Sequence, residues 1–225
     1  MPDKKYAVIV AGGKGMRMGS VIPKQFLPLL GKPLLCYAIQ AFADAFPGIH
    51  LVLVLPPDQV HSAQTVLRSY LSGIDVHIVE GGETRFHSVQ NGLKDIKDDG
   101  IVFVHDGVRP VLSTALIMRC YNQAADKGSA IPVLPVNESI RMIEGSTSRA
   151  IDRDKLRIIQ TPQTFRTNII LPAFRQEYDT AFTDEATVVE AHGTKVYLVD
   201  GTRDNIKVTT PEDMVIAETL LSARK

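Results

Sequence analysis

The chain has 225 residues, 44% hydrophobic and 22% charged, with 25 Lys and Arg balanced by 25 Asp and Glu. That length suits a single domain with a sizeable core, and the neutral balance offers no global field for nucleic acid or an acidic membrane surface. No apolar run is long enough to span a membrane, the run after Met1 is too short for a signal peptide and leads into glycines, and Cys36 and Cys120 read as reduced core thiols, so a cytoplasmic protein is expected.

The predicted elements alternate. YAVIVA (6–11) reads as a buried strand followed by the glycine loop AGGKGMRMG (11–19). A helix over 33–46, with Pro33 at its start, leads to the strand HLVLVLPP (50–57), stopped by two prolines. A helix over 58–71, a strand over 74–82 and a helix over 84–96 follow. IVFVHDGVRP (101–110) is a strand running into a loop, 113–128 a helix with Gly128 past its end, and 129–136 another strand. Near-continuously apolar strands separated by amphipathic helices predict an α/β fold. The expectation is a Rossmann-like three-layer sandwich with a mainly parallel sheet.

The rhythm breaks at 137–159, where SIRMI and RAIDR flank the turn-rich EGSTS. That pattern predicts a β-hairpin arm projecting from the body, with exposed apolar alternation that wants a partner surface. The body resumes with TPQTF (161–165), a helix near 167–178 and a helix over 183–193 that Thr183 and Asp184 would cap. Then come the runs KVYLVDG (195–201) and DNIKVTT (204–210) and a last helix. Thr210, Pro211 and Asp213 supply its hydroxyl cap, first-turn proline and third-position carboxylate. With no repeat and no low-complexity linker, the chain reads as one domain, 1–225, carrying an inserted arm.

Charge is unevenly placed. From Lys4 to Ala43 there are six cations and no carboxylate. The glycine loop fits neither familiar phosphate motif: Met18 stands where the dinucleotide fingerprint needs its third glycine, and around Gly31 and Lys32 the P-loop pattern fails at Phe26 and Pro33. The physics survives those failures. Glycines let backbone N–H groups approach phosphate oxygens, while Lys14, Arg17 and Lys24 add charge. A small polyanion is the expected ligand. Further on, Asp106 ends a strand of a parallel sheet, where ligands collect, and suits Mg²⁺ or a substrate hydroxyl. His105 reads as a packed strand residue.

AGGKGMRMG followed by PKQFLPLLGKPLL (23–35) is similar to the signature of the sugar-nucleotide pyrophosphorylase-like nucleotidyltransferase superfamily. With GGETRFHSVQNGL (81–93), VHDGVRP (104–110), DRDKLRIIQTPQTF (152–165), TDEA (183–186) and DNIKVTTPEDM (204–214), the whole resembles the 2-C-methyl-D-erythritol 4-phosphate cytidylyltransferase family. The resemblance implies transfer of CMP from CTP to a polyol phosphate, with Mg²⁺ and release of pyrophosphate. Arg17, Lys24 and Lys207 would be catalytic, and the backbone of Ala11, Gly12, Gly13 and Gly15 would cradle the triphosphate. Gly82, Glu83, Arg85 and Ser88 would surround the cytosine, with Glu83 where many members have Asp. Asp106 and Arg109 would face the polyol phosphate, and the metal would sit on Asp106. The arm would cross to the partner of a homodimer, bringing Ser139, Arg153 and Thr161 to its substrate phosphate; Ser139 replaces a common Thr. A ribitol 5-phosphate cytidylyltransferase and a non-catalytic nucleotide-binding or assembly module stay open as alternatives.

Overall fold

A computed structural model describes residues 4–13 and 22–224. Its centre is an eight-stranded sheet built from β1 (Lys4–Val10), β4 (His50–Leu55), β5 (Val76–Glu80), β6 (Gly100–Asp106), β7 (Ser129–Pro135), β10 (Arg157–Ile159), β11 (Gln163–Arg166) and β12 (Leu198–Asp200). The order runs β10-β7-β11-β6-β1-β4-β5, with β12 beside β7. β5, β4, β1 and β6 are mutually parallel, as is β12 to β7; β11 and β10 run against their neighbours. The sheet is therefore mainly parallel, with two antiparallel strands flanking β7.

The chain builds outward from β1 through β4 to β5, then returns across β1 to lay down β6. That reversal puts a topological switch between β1 and β6, with the carboxyl ends of both opening on one crevice. Successive side chains of β1 face opposite layers. Ala7 and Ile9 pack under α1 (Leu34–Ala45), α2 (Val60–Tyr70) and α4 (Thr114–Lys127). Tyr6, Val8 and Val10 pack under α3 (Arg85–Leu93), α5 (Thr167–Ala173) and α6 (Glu185–Ala191). Both faces are covered, which is why these strands are apolar throughout. A smaller cluster beside the crevice joins Leu29 and Leu34 to Val108, Val208 and Ala217 of α7 (Pro211–Ser222).

The helix ends follow local chemistry. Ser113 accepts from the Leu116 N–H at the start of α4, and Gly128 closes it with φ 90°. Asp184 accepts from Thr187 N–H and Thr187 reciprocates with Asp184 N–H, a capping box that makes Asp184 a cap as expected. The Asp213 carboxylate takes the N–H groups of Thr209 and Thr210 at α7.

One expectation needs correction. The helix near 167–178 ends at Ala173: Pro172 lies inside it and donates no backbone hydrogen bond. The run 195–201 is strand only at Leu198–Asp200, and 204–210 forms no strand. The arm is a hairpin as read, β8 (Ile140–Glu144) against β9 (Thr147–Ile151), turned by Gly145 at φ 62° and exposed along nearly its whole length. A short ribbon, β2 (Pro28–Leu29) with β3 (Lys32–Pro33), leads into α1.

Candidate active site

The switch crevice contains a cavity of about 260 Å³. Val10, Ala11, Gly12 and Gly13 form one wall where β1 ends. Gly82, Glu83, Thr84, Arg85 and Ser88 form a second, and Asp106, Val108, Lys24 and Lys207 complete it. Gly15 and Arg17, like Lys14, lie outside the described residues.

The second wall is a tight turn into α3. Thr84 caps the helix by accepting from His87 N–H, while the Ser88 hydroxyl accepts from Gly82 N–H at 3.1 Å and donates to Thr84 O at 2.9 Å. A Cβ on Gly82 would stand 2.4 Å from that of His87, so only glycine lets the loop pass there.

Lys24 sits in a one-turn 3₁₀ helix and is only 8% exposed, yet its Nζ reaches the cavity and donates to Val208 O at 3.2 Å. The next residue back, Lys207, places its Nζ 2.9 Å from Asp106 Oδ2. The two lysines come from opposite ends of the chain and line one cavity.

Asp106 is the hub. Besides Lys207 it faces Arg85 Nη2 at 3.4 Å and Arg109 Nε at 3.6 Å. Burial alone would push its carboxyl up, but Arg85, Lys207 and Arg109 outweigh that and hold it well below the ordinary carboxylate range. Its backbone N–H donates to Thr161 Oγ1, and that hydroxyl in turn meets His105 Nδ1 at 3.0 Å. His105 is fully buried, with a pKa pushed down to about 3 chiefly by burial, and packs edge-on against Phe42. It is a neutral packed strand residue, as its sequence context implied.

Arg85 is held from behind. Glu185, at the first position of α6 and 1% exposed, takes it in a bidentate pair, Nη1 on Oε1 and Nη2 on Oε2 at 3.1 Å. Burial raises the Glu185 carboxyl, opposed by Arg85. Burial also works against the Arg85 charge, and Glu185 and Asp106 reverse it, so its affinity for the proton rises. From the sequence, Glu185 carries no role beyond its place in the TDEA match. Its position inside TDEA looks like any acidic residue in a helix's first turn.

The remaining expected residues divide. Arg109 and Thr161 are buried behind Asp106 and do not line the cavity: Arg109 donates to Asn205 O at 2.7 Å, and Thr161 is 5% exposed. Ser139 and Arg153 are exposed on and beside the arm, where Arg153 donates to Asn137 O, and neither lines the cavity.

A divalent cation can be tested against these donors. Among the described residues no cluster of three or more His, Cys, Asp or Glu could hold a metal. One hard carboxylate at the rim of an anion site does fit Mg²⁺, which keeps waters and shares phosphate oxygens instead of demanding a protein cage. Among the same residues, no helix is long and apolar enough to cross a membrane.

The family model for 2-C-methyl-D-erythritol 4-phosphate cytidylyltransferase matches residues 6–223. A Phocaeicola vulgatus protein of that description is 48% identical over 217 residues, covering 96% of this chain and 99% of the relative. One from Bacteroides fragilis is 46% identical over the same shares. Among solved structures, 4-diphosphocytidyl-2C-methyl-D-erythritol synthase from Anaerococcus prevotii superposes with a TM-score of 0.82 at 26% identity, covering 98% of this chain and 99% of that one. The Thermus thermophilus 2-C-methyl-D-erythritol 4-phosphate cytidylyltransferase gives 0.74 at 31%, covering 96% and 98%.

Proposed function

The chain belongs to the 2-C-methyl-D-erythritol 4-phosphate cytidylyltransferase family, and on that premise we propose that its cavity moves CMP from CTP to 2-C-methyl-D-erythritol 4-phosphate. The products are 4-diphosphocytidyl-2-C-methyl-D-erythritol and pyrophosphate, a step toward isoprenoid precursors. The acceptor's phosphate oxygen bonds to the α-phosphorus of CTP while the bond from that phosphorus to the bridging oxygen breaks, and pyrophosphate carries the electron pair away. Both reactants are anions, so positioning and charge stabilisation are the chief demands.

The observation that carries this reading is the convergence of Lys24 and Lys207 beside Asp106 and the Gly12–Gly13 backbone. Lys24 and Lys207 stabilise charge building on the α-phosphoryl oxygens, joined by Arg17 from the glycine loop. The amides of Ala11, Gly12, Gly13 and Gly15 receive the triphosphate. Gly82, Glu83, Arg85 and Ser88 take the cytosine. Asp106 would hold Mg²⁺, which, when bound, neutralises phosphate charge. Arg109 and Thr161 hold Asp106 in place from behind. Ser139 and Arg153 serve a partner subunit's site, reached by the arm, so the working form is a homodimer. The two free, buried cysteines suit a reducing cytoplasm, which fractionation of cells checks.

The test is pyrophosphate release with CTP and Mg²⁺, offering 2-C-methyl-D-erythritol 4-phosphate and ribitol 5-phosphate in parallel. Turnover with the first is expected, and Lys24→Ala or Lys207→Ala should each lower it by roughly 10²-fold or more while the fold persists. Turnover with ribitol 5-phosphate alone, or with neither, rejects the assignment; near-normal rates in a variant remove that lysine from the machinery.

A further inference from the structure

Lys207 stands on chain that has no helix or strand of its own between Gly201 and Thr210. Nothing in local propensity fixes such a segment, and each of its buried backbone groups needs a partner from elsewhere. One side chain supplies several of them. Gln160 is 3% exposed, and its amide pairs with both backbone groups of one residue, as a neighbouring peptide would in a sheet. Its Oε1 accepts from Thr202 N–H at 3.2 Å and its Nε2 donates to Thr202 O at 2.9 Å. The same Nε2 reaches Asn205 O at 3.3 Å. Asn205, fully buried, answers from its side by donating Nδ2 to Thr161 O at 2.7 Å. The fit is close enough that a Cβ on Gly201 would lie 2.4 Å from Gln160 Oε1.

We infer that Gln160 is a positioning residue for Lys207: it clasps Thr202 and Asn205 so that the lysine, two residues further on, lands on Asp106. The inference rests on the reading of Lys207 given above. The clasp also joins two distant parts of the site. Gln160 and Thr161 are consecutive, and Thr161 holds the Asp106 backbone. One short turn therefore sets the carboxylate and its lysine partner at once. Gln160 does not line the cavity; it acts through the segment it holds.

The experiment compares Gln160→Ala, Lys207→Ala and the double variant in the full-length protein, with two readouts. The first is turnover. Misplacing a catalytic group by about an ångström costs on the order of 10- to 100-fold, so Gln160→Ala should lower kcat by that much with the KM for CTP little changed. In the Lys207→Ala background the same substitution should cost less than about 2-fold, because the group it positions is gone. The second readout is amide hydrogen exchange, which needs no substrate: Thr202, Ile206 and Val208 should exchange faster in Gln160→Ala, while amides of β4 keep their protection. Multiplicative losses in the double variant, or unchanged exchange at those three amides, would overturn the inference. If the wild-type protein fails to turn over CTP, the proposed function falls and the exchange readout alone decides the clasp. Should Gln160→Ala not fold, Gln160→Glu is measured in the same way. It retains the acceptor for Thr202 N–H but sets a carboxylate oxygen against two carbonyls, and the same outcomes decide it.

Discussion

Removing Arg85 should expose how much the buried Glu185 depends on it. In Arg85→Met the Glu185 carboxylate, 1% exposed in the native fold, loses both bidentate hydrogen bonds. Breaking a buried ion pair from one side costs roughly 3–5 kcal/mol because the surviving charge stays desolvated. The Arg85 side chain is 32% exposed, so water already reaches the pair and the lower end, about 3 kcal/mol, is the better expectation. For a chain this long that is a fall of roughly 6–12 °C in Tm. The loss should depend on pH with a definite sign. The folded pKa of Glu185 already lies above its ordinary 4.5, and losing Arg85 raises it further. The folded state then binds the proton more tightly than the unfolded state, so the deficit shrinks as pH falls toward that ordinary value and widens as pH rises. Arg85→Met/Glu185→Leu removes the stranded charge and should recover most of the Tm, although the proposed cytosine contact of Arg85 stays lost. Scanning fluorimetry at two pH values on the two single variants and the double closes the cycle. A single variant within about 1 kcal/mol of wild type, or a double as unstable as the sum of its parts, would refute the idea that Glu185 and Arg85 form one electrostatic unit.

Two further outcomes follow from the same physics. Burial holds the folded pKa of His105 at about 3, against 6.5 when exposed, so the unfolded chain takes up a proton first and stability is lost as pH falls between those values. Urea denaturation should show wild type losing about 2 kcal/mol more than His105→Gln between pH 6.5 and 5. Asp106 adds its own loss only below about 3.8. Parallel pH profiles for the two proteins would exclude His105 as the group responsible. On the arm, Ile143 is 72% exposed and Met142 41%; Ile143→Asp should convert the proposed homodimer to monomer in sedimentation, whereas a dimer undiminished by the charge would place the interface elsewhere.

What the sequence made legible is what local chemistry decides. The strands β1, β4 and β6 announce themselves because burial on both faces permits only apolar side chains. Ser113, Gly128 and Thr210–Asp213 mark helix ends because caps act within one turn. The arm shows through its turn cluster. What stayed hidden depends on contacts across the sheet. β11 has four residues, too few to reveal that it runs against β6 and β7. Thr161 and Arg109 carry types that suit a phosphate, but the fold turns both onto Asp106. Glu185 and Gln160 resemble a first-turn acid and a polar loop residue until the partners some distance along the chain come into view.

The positive character of the cavity is likewise a product of placement. The whole chain is neutral. In and behind the cavity wall, however, Lys24, Arg85, Arg109 and Lys207 stand against Glu83, Asp106 and Glu185, four cations to three carboxylates among the described residues, leaving an excess of one positive charge. Glu185 takes Arg85, and Asp106 shares Arg109 and Lys207. Arg85, Lys24 and Lys207 are the cations that line the cavity itself. A low-dielectric crevice focuses such a field on whatever anion enters. Because Asp106 also restrains Lys207 at 2.9 Å, a bound triphosphate must compete with that carboxylate for the lysine. Asp106→Asn, by freeing Lys207, should then tighten CTP binding in the absence of Mg²⁺ even as it abolishes turnover. Titration calorimetry without metal checks the sign, and weaker binding would mean that Asp106 orders the lysine for the nucleotide instead of holding it back.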